Sequence, residues 1–179
     1  MPITINGTGS ITGLSAGGLP SATVTQATLS TPVYSQGVPA FSAYSNTTQS
    51  LTGFVYTKVA LQAEEYDTAN CFDSTTNYRF TPTIAGYYSV TAAVYLVGGV
   101  SAQVSANIYK NGSNYKQGPF TPPATNDMGS NVSTLVYMNG STDYIELYAY
   151  QTGGSARNLY GAVGSSSTTW FQACLVRGA

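Results

Sequence analysis

The sequence predicts an all-β protein whose strands pack as a sandwich or a barrel. Apolar and polar residues alternate along several segments, and this period of two places one face of a strand in a core. Pairs of turn-forming residues, such as Asn139-Gly140 and Gly153-Gly154, separate these segments. No window shows helical periodicity. Many short strands joined by Gly and Pro turns are therefore the expected architecture.

The first 38 residues differ from the rest of the chain. They are rich in Gly, Ser, Thr and Ala, and their apolar side chains are too sparse to form a core. Residues 1–38 are therefore predicted to stay mobile or to become ordered on a partner, and residues 39–179 to form the head domain.

The opening residues lack the basic and apolar regions of a signal peptide. No apolar run reaches the ~20 residues that span a bilayer, so membrane insertion is not expected.

The clearest strand follows Pro82, which lacks a backbone donor and must end the strand before it. Gly86 is interpreted as supplying a backbone angle that a larger residue would resist. From Tyr88 to Leu96 every second residue is predicted to point into the core. The predicted strands are Ala40–Tyr44, Leu51–Leu61, Tyr78–Phe80, Tyr87–Leu96, Val104–Lys110, Ser133–Met138, Asp143–Gln151 and Thr168–Val176.

The two Asn-Gly pairs receive different interpretations. Asn139-Gly140 is predicted to close a hairpin, because both turn positions favour a positive φ. Asn111-Gly112 is expected to begin a long loop, from Ser113 to Gly129, that contains three prolines. A further turn is predicted at Gly98-Gly99.

Composition excludes several classes of function. Only 7% of the residues are charged, against ~25% in an average soluble protein. The formal net charge is -1, and Lys and Arg occur singly. The chain therefore lacks the positive electrostatic potential that attracts nucleic acid or an anionic membrane. Such chains are typical of extracellular structural proteins and of virion fibres.

Catalytic chemistry finds little support in the sequence. The chain has no His, which removes the usual nucleophilic triads and His-ligated metals. Glu64-Glu65-Tyr66-Asp67 is the only carboxylate cluster, and it is interpreted as a glycosidase pair, a calcium loop or a solvated loop. Cys71 and Cys174 are expected to be unpaired thiols. The prediction is a protein that is not an enzyme and that needs no cofactor.

Aromatic residues in or beside the long loops are the remaining candidates for a binding site. A ligand site is predicted within residues 111–130 and 151–166, with Tyr115, Phe120 and Tyr160 stacking on the apolar faces of sugars. The alternative is that these rings only pack the loops onto their own barrel.

Several segments, taken in order, resemble the globular head of the complement C1q family, which is a tumour-necrosis-factor-like jelly roll. The resemblance implies two five-stranded antiparallel sheets, assembly as a trimer, and binding rather than catalysis. The segments that carry it are Phe41-Ser42-Ala43, Phe72-Asp73, the stretch from Tyr78 to Val90, Ile108 to Gly112, Asp143 to Leu147, and Thr169 to Val176.

The resemblance also implies which surface forms the trimer. It places the strands at residues 87–96, 143–151 and 168–176 in one sheet facing the three-fold axis. The residues predicted to lie outward on these strands, and therefore at the interface, are Tyr87, Tyr95, Tyr144, Tyr148, Trp170 and Gln172.

The stretch from Ile3 to Leu14 is similar to the openings of phage tail and fibre proteins. Residues 1–38 are therefore expected to attach a homotrimeric head to a virion or fibre. The leading hypothesis is a phage tail-fibre tip that binds a host cell-surface ligand, which is expected to be a glycan. The expected location is the virion. The alternatives are a decoration or fibre-capping protein, which only trimerises a stalk, and a bacterial lectin-like surface module.

Overall fold

The computed structural model describes Thr4–Ile5, Ile11–Thr12 and residues 37–97, 102–123, 126–163 and 166–179. The chain divides into two compact units, Met1–Ser35 and Gln36–Ala179. In the first unit, strand β1 (Thr4–Ile5) pairs antiparallel with β2 (Ile11–Thr12). The prediction that residues 1–38 are mobile or become ordered on a partner otherwise lies outside the described residues, as does the turn predicted at Gly98-Gly99.

The second unit, the head, consists of strands and their connections, and the prediction of an all-β fold is confirmed. None of the described elements is a helix long and apolar enough to cross a membrane. The strands of the head are β3 (Ala40–Tyr44), β4 (Gln49–Leu51), β5 (Thr57–Lys58), β6 (Ala63–Asp67), β7 (Phe72–Asp73), β8 (Arg79–Phe80), β9 (Ala85–Val97), β10 (Val104–Lys110), β11 (Ser113–Gln117), β12 (Met128–Asn139), β13 (Ile145–Gln151), β14 (Arg157–Leu159), β15 (Ala162–Val163), β16 (Ser166–Ser167) and β17 (Trp170–Gly178).

Two antiparallel sheets contain nearly all of these strands. The first sheet runs in the order β12-β9-β17-β3-β6, and the short strands β14 and β4 extend it at the end of β9. The second sheet runs β11-β10-β13-β8-β7, and β5 also pairs with β13. Five strands therefore run through each sheet, as the resemblance implies, with short additions at the ends.

The core lies between the two sheets. The inward set predicted on β9 is correct, because Tyr88, Val90, Ala92, Val94 and Leu96 are all buried. The aromatic centre of the core is the Phe41 ring, whose centroid lies 4.6 Å from those of Phe72 and Phe80 and 5.0 Å from that of Phe171. This aromatic cluster joins the two sheets, because it combines residues of β3 and β17 from the first sheet with residues of β7 and β8 from the second.

The strand predicted over residues 51–61 is not continuous. β4 ends at Leu51, the chain then leaves the sheet, and β5 begins only at Thr57. Two features prevent a strand here. A Cβ on Gly53 would lie 1.9 Å from the Gly153 carbonyl oxygen, and Phe54 has a φ of 60°. Such a close approach and a left-handed backbone are incompatible with an uninterrupted ladder.

Neither Asn-Gly pair has the role predicted for it. Asn111 and Gly112 have φ values of 52° and 78° and close a tight hairpin between β10 and β11. This is the turn whose twist matches paired strands. Asn139-Gly140 instead begins a crossover, because β12 pairs with β9 in the first sheet and β13 pairs with β10 in the second. The hairpin predicted there is wrong.

Gly86 lies inside β9, not before it, and its role differs from the one predicted. A Cβ at this position would lie 2.3 Å from the carbonyl oxygen of Arg177 on the neighbouring β17. Glycine is therefore required by close approach of two backbones, not by an unusual backbone angle.

Candidate ligand-binding and assembly faces

Five aromatic rings follow one another across the outward face of the second sheet. Tyr109 stacks on Tyr148 with centroids 3.8 Å apart, and Tyr56 lies 6.1 Å from Tyr109 and 4.5 Å from Tyr150. Phe120 meets Tyr150 edge-on at 5.9 Å. These five residues are called the aromatic ladder. It joins side chains of β10 and β13 to two residues from loops.

The strands position the ladder through alternation and register. Val104, Ala106 and Ile108 are buried in the core, so Tyr109 points to the opposite side of β10. On β13, Ala149 pairs with Thr57 of β5, and the next step of this register brings Tyr56 beside Tyr150. Loop residues are thus held against the sheet by backbone pairing.

The loop that supplies Tyr56 exposes three consecutive apolar side chains. Phe54 is 62% exposed, Val55 47% and Tyr56 38%. The φ of 60° at Phe54 is uncommon for a bulky residue, and strained conformations of this kind cluster at binding and active sites. The Phe54 N–H donates to the Gln151 carbonyl at 2.8 Å, which fastens the loop to the end of β13.

An ion cluster lies next to the ladder on the same side of β13. Glu146 is buried, and its Oε1 accepts from the Lys58 ammonium at 2.6 Å and lies 3.3 Å from Arg79 Nε. That Arg79 nitrogen forms the ion pair without hydrogen-bond geometry. The Arg79 guanidinium also covers the Tyr144 ring at 4.2 Å. The carboxylate is therefore neutralised locally, since both of its neighbours are cations.

The hydroxyls of Tyr109 and Tyr148 stay protonated over the ordinary pH range because the pKa of each is raised. Burial raises the pKa of Tyr148, and the nearby Glu146 charge raises it further. Burial also raises the pKa of Tyr109, with a smaller contribution from Tyr56. Within the described residues, the hydroxyls of Tyr56, Tyr109, Tyr148 and Tyr150 have no hydrogen-bond partner, so each can serve a ligand.

The outward side of β9, β12 and β17 forms a second candidate surface, called the first-sheet face. One end is apolar: Leu135 is 58% exposed, Val176 60%, and the rings of Tyr87 and Tyr137 meet edge-on at 5.5 Å. Its middle is small and polar, with Gln172 Nε2 donating to Thr91 Oγ1 at 3.0 Å. Strands β9 and β12 contain no charged residue.

Solved structures with the same architecture include complement and tumour-necrosis-factor proteins. The globular domain of the zebrafish complement 1qA protein superposes with a TM-score of 0.58 at 14% identity, covering 79% of this chain and 99% of that one. The Eiger TNF from S. frugiperda gives 0.58 at 10% identity, covering 80% and 96%. Murine APRIL gives 0.55 at 10%, covering 78% and 99%. No protein-family model and no curated protein matches the sequence.

The head is a jelly roll of the complement C1q and tumour necrosis factor type. The resemblance found in the sequence is thereby confirmed for the fold. At such low identity the likeness concerns the fold alone.

Within this jelly roll, the residues predicted to form the trimer interface lie on two different sheets. Tyr87 and Tyr95 on β9 and Trp170 and Gln172 on β17 belong to the first sheet. Tyr148 on β13 belongs to the second, and Tyr144 directly precedes that strand. The premise that the three strands share one sheet is wrong, because the chain crosses between sheets after Asn139.

The three residues predicted to bind a ligand are also not brought together. Tyr115 lies on β11, and its hydroxyl donates to the Leu135 carbonyl at 3.2 Å. Phe120 belongs to the aromatic ladder. Tyr160 follows β14, where its N–H donates to the Tyr95 carbonyl at 2.7 Å. Sequence reasoning missed most of the ladder, although the run Phe54-Val55-Tyr56 after Gly53 was a usable signal.

The carboxylate cluster offers no metal site in the described part of the chain. Glu64 and Glu65 point outward on the exposed strand β6, and Ser42 Oγ donates to Glu65 at 2.8 Å. No group of three or more Asp, Glu or Cys side chains among the described residues is arranged to hold a metal ion. Cys71 is buried and Cys174 exposed, and both are free thiols.

Proposed function

We propose that this protein is a non-catalytic binding head that assembles as a homotrimer on a phage fibre and contacts the host surface. The observation that carries the proposal is the first-sheet face. In a jelly roll of this type, an almost uncharged face with exposed Leu135 and Val176 is suited to self-association. The only charged residue of β17 is Arg177, so repulsion between subunits is small.

The attachment role belongs to residues 1–38. Their low apolar content and their likeness to fibre openings support a segment that becomes ordered on the particle. The alternatives are a fibre cap or decoration protein, in which the head only trimerises, and a bacterial lectin-like surface module. A fibre cap or decoration protein would not recognise cells, whereas the proposed fibre tip would. A bacterial surface module would not be located on a phage particle.

Assembly is tested by sedimentation equilibrium of the full chain. The expected mass is three times the 18.7 kDa of one chain. Leu135→Glu should dissociate the trimer, because three carboxylates would be buried together without partners. Val55→Glu is the matched control, since Val55 is equally apolar and exposed but lies in the loop beside the second sheet. A monomeric wild-type chain, or dissociation by both changes, would overturn this assignment of the interface.

Location is tested with antibodies raised against the purified head. In cultures that produce the protein, they should label the fibre tips of phage particles and block adsorption of those particles to cells. Labelling without any block of adsorption would favour the capping alternative. Labelling of the bacterial envelope in the absence of particles would favour the surface module.

A further inference from the structure

The aromatic ladder lies on the side of the sandwich away from the first-sheet face. It is built on β10 and β13 of the second sheet, whereas the proposed assembly surface is built on β9, β12 and β17. Self-association through the first sheet would therefore leave the ladder open to solvent. Each trimer would present three copies, and several weak sites on one particle bind with high avidity.

The size of the ladder favours a small ligand over a protein partner. An aromatic side chain has ~200 Å² of surface, so five rings at most about 40% exposed, together with Phe54 and Val55, offer ~600 Å² at most. A stable protein interface needs about 800 Å² from each partner. Exposed patches of ~300 to 600 Å² are often functional.

The floor beneath the rings is polar, which distinguishes the ladder from an ordinary hydrophobic cluster. Ser105 and Asn107 point to the same side of β10 as Tyr109 and are fully buried, beside Tyr150 and Tyr148 in register. Asn107 Nδ2 donates to the Ser105 carbonyl at 3.0 Å, but its Oδ1 has no partner among the described residues. A buried and unpaired acceptor is uncommon in a core that merely packs loops onto a barrel.

The charges around the ladder argue against a strongly ionic ligand. Lys58 and Arg79 both contact Glu146, and Arg79 also covers the Tyr144 ring. Their charges are therefore engaged by the protein. What remains for a ligand is a row of ring faces and edges with unpaired hydroxyls, which matches the alternating C–H faces and hydroxyl groups of a sugar chain.

We infer that the aromatic ladder is the binding site for a neutral oligosaccharide, which lies along the rings of Phe120, Tyr150, Tyr56, Tyr109 and Tyr148. This inference rests on the proposed function and names the ligand class and the site. It moves the site from the β11 hairpin and the segment after β14 to the outward face of the second sheet. Phe120 is shared by the predicted site and the ladder.

The test is saturation-transfer NMR of the full chain with a panel of short neutral oligosaccharides of glucose, galactose, mannose and their N-acetylated forms. At least one should bind, with its ring C–H protons receiving saturation from the aromatic protons. Tyr56→Ala and Phe120→Ala should each weaken that binding about tenfold or more, because each removes one stacking surface. Tyr56→Phe keeps the ring and should retain binding to within a few-fold.

Tyr66→Ala is the matched control. Tyr66 is 48% exposed on β6 of the first sheet, so its removal should leave sugar binding unchanged. Melting temperatures of all variants show whether a loss of binding reflects loss of fold. Unaltered binding in Tyr56→Ala and Phe120→Ala, or no binding to any member of the panel at concentrations on the order of millimolar, would overturn the inference.

Sedimentation and cell adsorption separate this inference from the proposed function. A trimer that adsorbs to cells, ignores the sugars and tolerates the ladder substitutions would overturn the sugar site and leave the proposed function standing. A chain that binds the sugars through the ladder but sediments as a monomer would support the site and refute the assembly. If Tyr56→Ala dissociated the trimer, the ladder would be a contact between subunits.

Discussion

At the scale of single residues, neighbours of the same type serve opposite purposes because alternation turns them to opposite faces. Tyr88 is fully buried, and its hydroxyl donates to the Ile84 carbonyl at 2.7 Å. Tyr87, one position earlier, is 49% exposed on the first-sheet face.

Polar residues also act locally: Asp73 accepts the backbone N–H groups of Thr75 and Thr76 and stabilises the turn after β7.

Asp73 predicts a specific dependence of stability on pH. The hydrogen bond from the Thr76 N–H, together with those from Asn77 and Thr75, holds the pKa of Asp73 well below its ordinary value. A carboxyl whose folded pKa is depressed stabilises the protein above its unfolded pKa of about 3.9, and this contribution is lost as the pH falls further. The urea midpoint should therefore drop below pH ~4 more steeply in the wild type than in Asp73→Asn.

The control for this pH series is Glu64→Gln, which removes an exposed carboxyl on β6. It should reproduce the wild-type profile. Parallel profiles for the wild type and Asp73→Asn would show that the turn does not depend on the ionised carboxylate.

At the scale of elements, connections decide the architecture more than the strands do. The Asn111-Gly112 turn is held against the crossover between β12 and β13 by its own side chain. Asn111 Nδ2 donates to Asp143 Oδ1 at 2.8 Å, and Asn111 Oδ1 accepts the Tyr144 N–H at 2.9 Å. Asp143 also pairs with Lys110 at 2.9 Å. Two connections that are distant in sequence are thereby joined.

Replacing Asn111 with Gly tests this junction. Asn111→Gly preserves the positive φ of the turn but removes both side-chain hydrogen bonds, so the free energy of unfolding should fall by about 1 to 2 kcal/mol. Urea denaturation measures the loss. Gly154→Ala is the control, because an added Cβ there meets no atom within 4 Å and stability should hardly change. Equal effects of the two changes would mean that the side chain of Asn111 contributes nothing.

At the scale of the whole molecule, the distribution of strands between the sheets determines what each surface can do. Because β13 joins the second sheet, Tyr148 lies in the aromatic ladder, on the other sheet from Trp170. Tyr148→Glu is therefore expected to impair sugar binding and to leave the trimer intact. Trp170→Glu, in contrast, changes a residue of the first-sheet face.

The division of the chain into two units predicts that the head folds alone. The described hydrophobic core contains residues between Phe41 and Ala173 only. Deletion of residues 1–35 should therefore leave the melting temperature of the rest within a few degrees, while attachment to the particle is lost. Differential scanning calorimetry of the full and shortened chains measures the first effect. A shortened chain that is unfolded would show that the first unit is integral to the head.

The sequence by itself determined the all-β class and the inward set on β9, because both depend on local alternation, which can be read directly. The type of jelly roll came from the resemblance of several segments, taken in order, to the C1q family. The sequence also determined that the first 38 residues differ from the head in composition.

Only the tertiary structure decided which strands are neighbours and, with that, which aromatic rings meet. Tyr56 reaches Tyr150 because β5 pairs with β13, and Phe120 reaches the same ring from beyond β11. The crossover at Asn139-Gly140 looked like a hairpin, because an Asn-Gly pair specifies a local backbone turn but not the sheet that the chain enters next. Long-range pairing is set by burial of whole faces, and no local pattern contains that information.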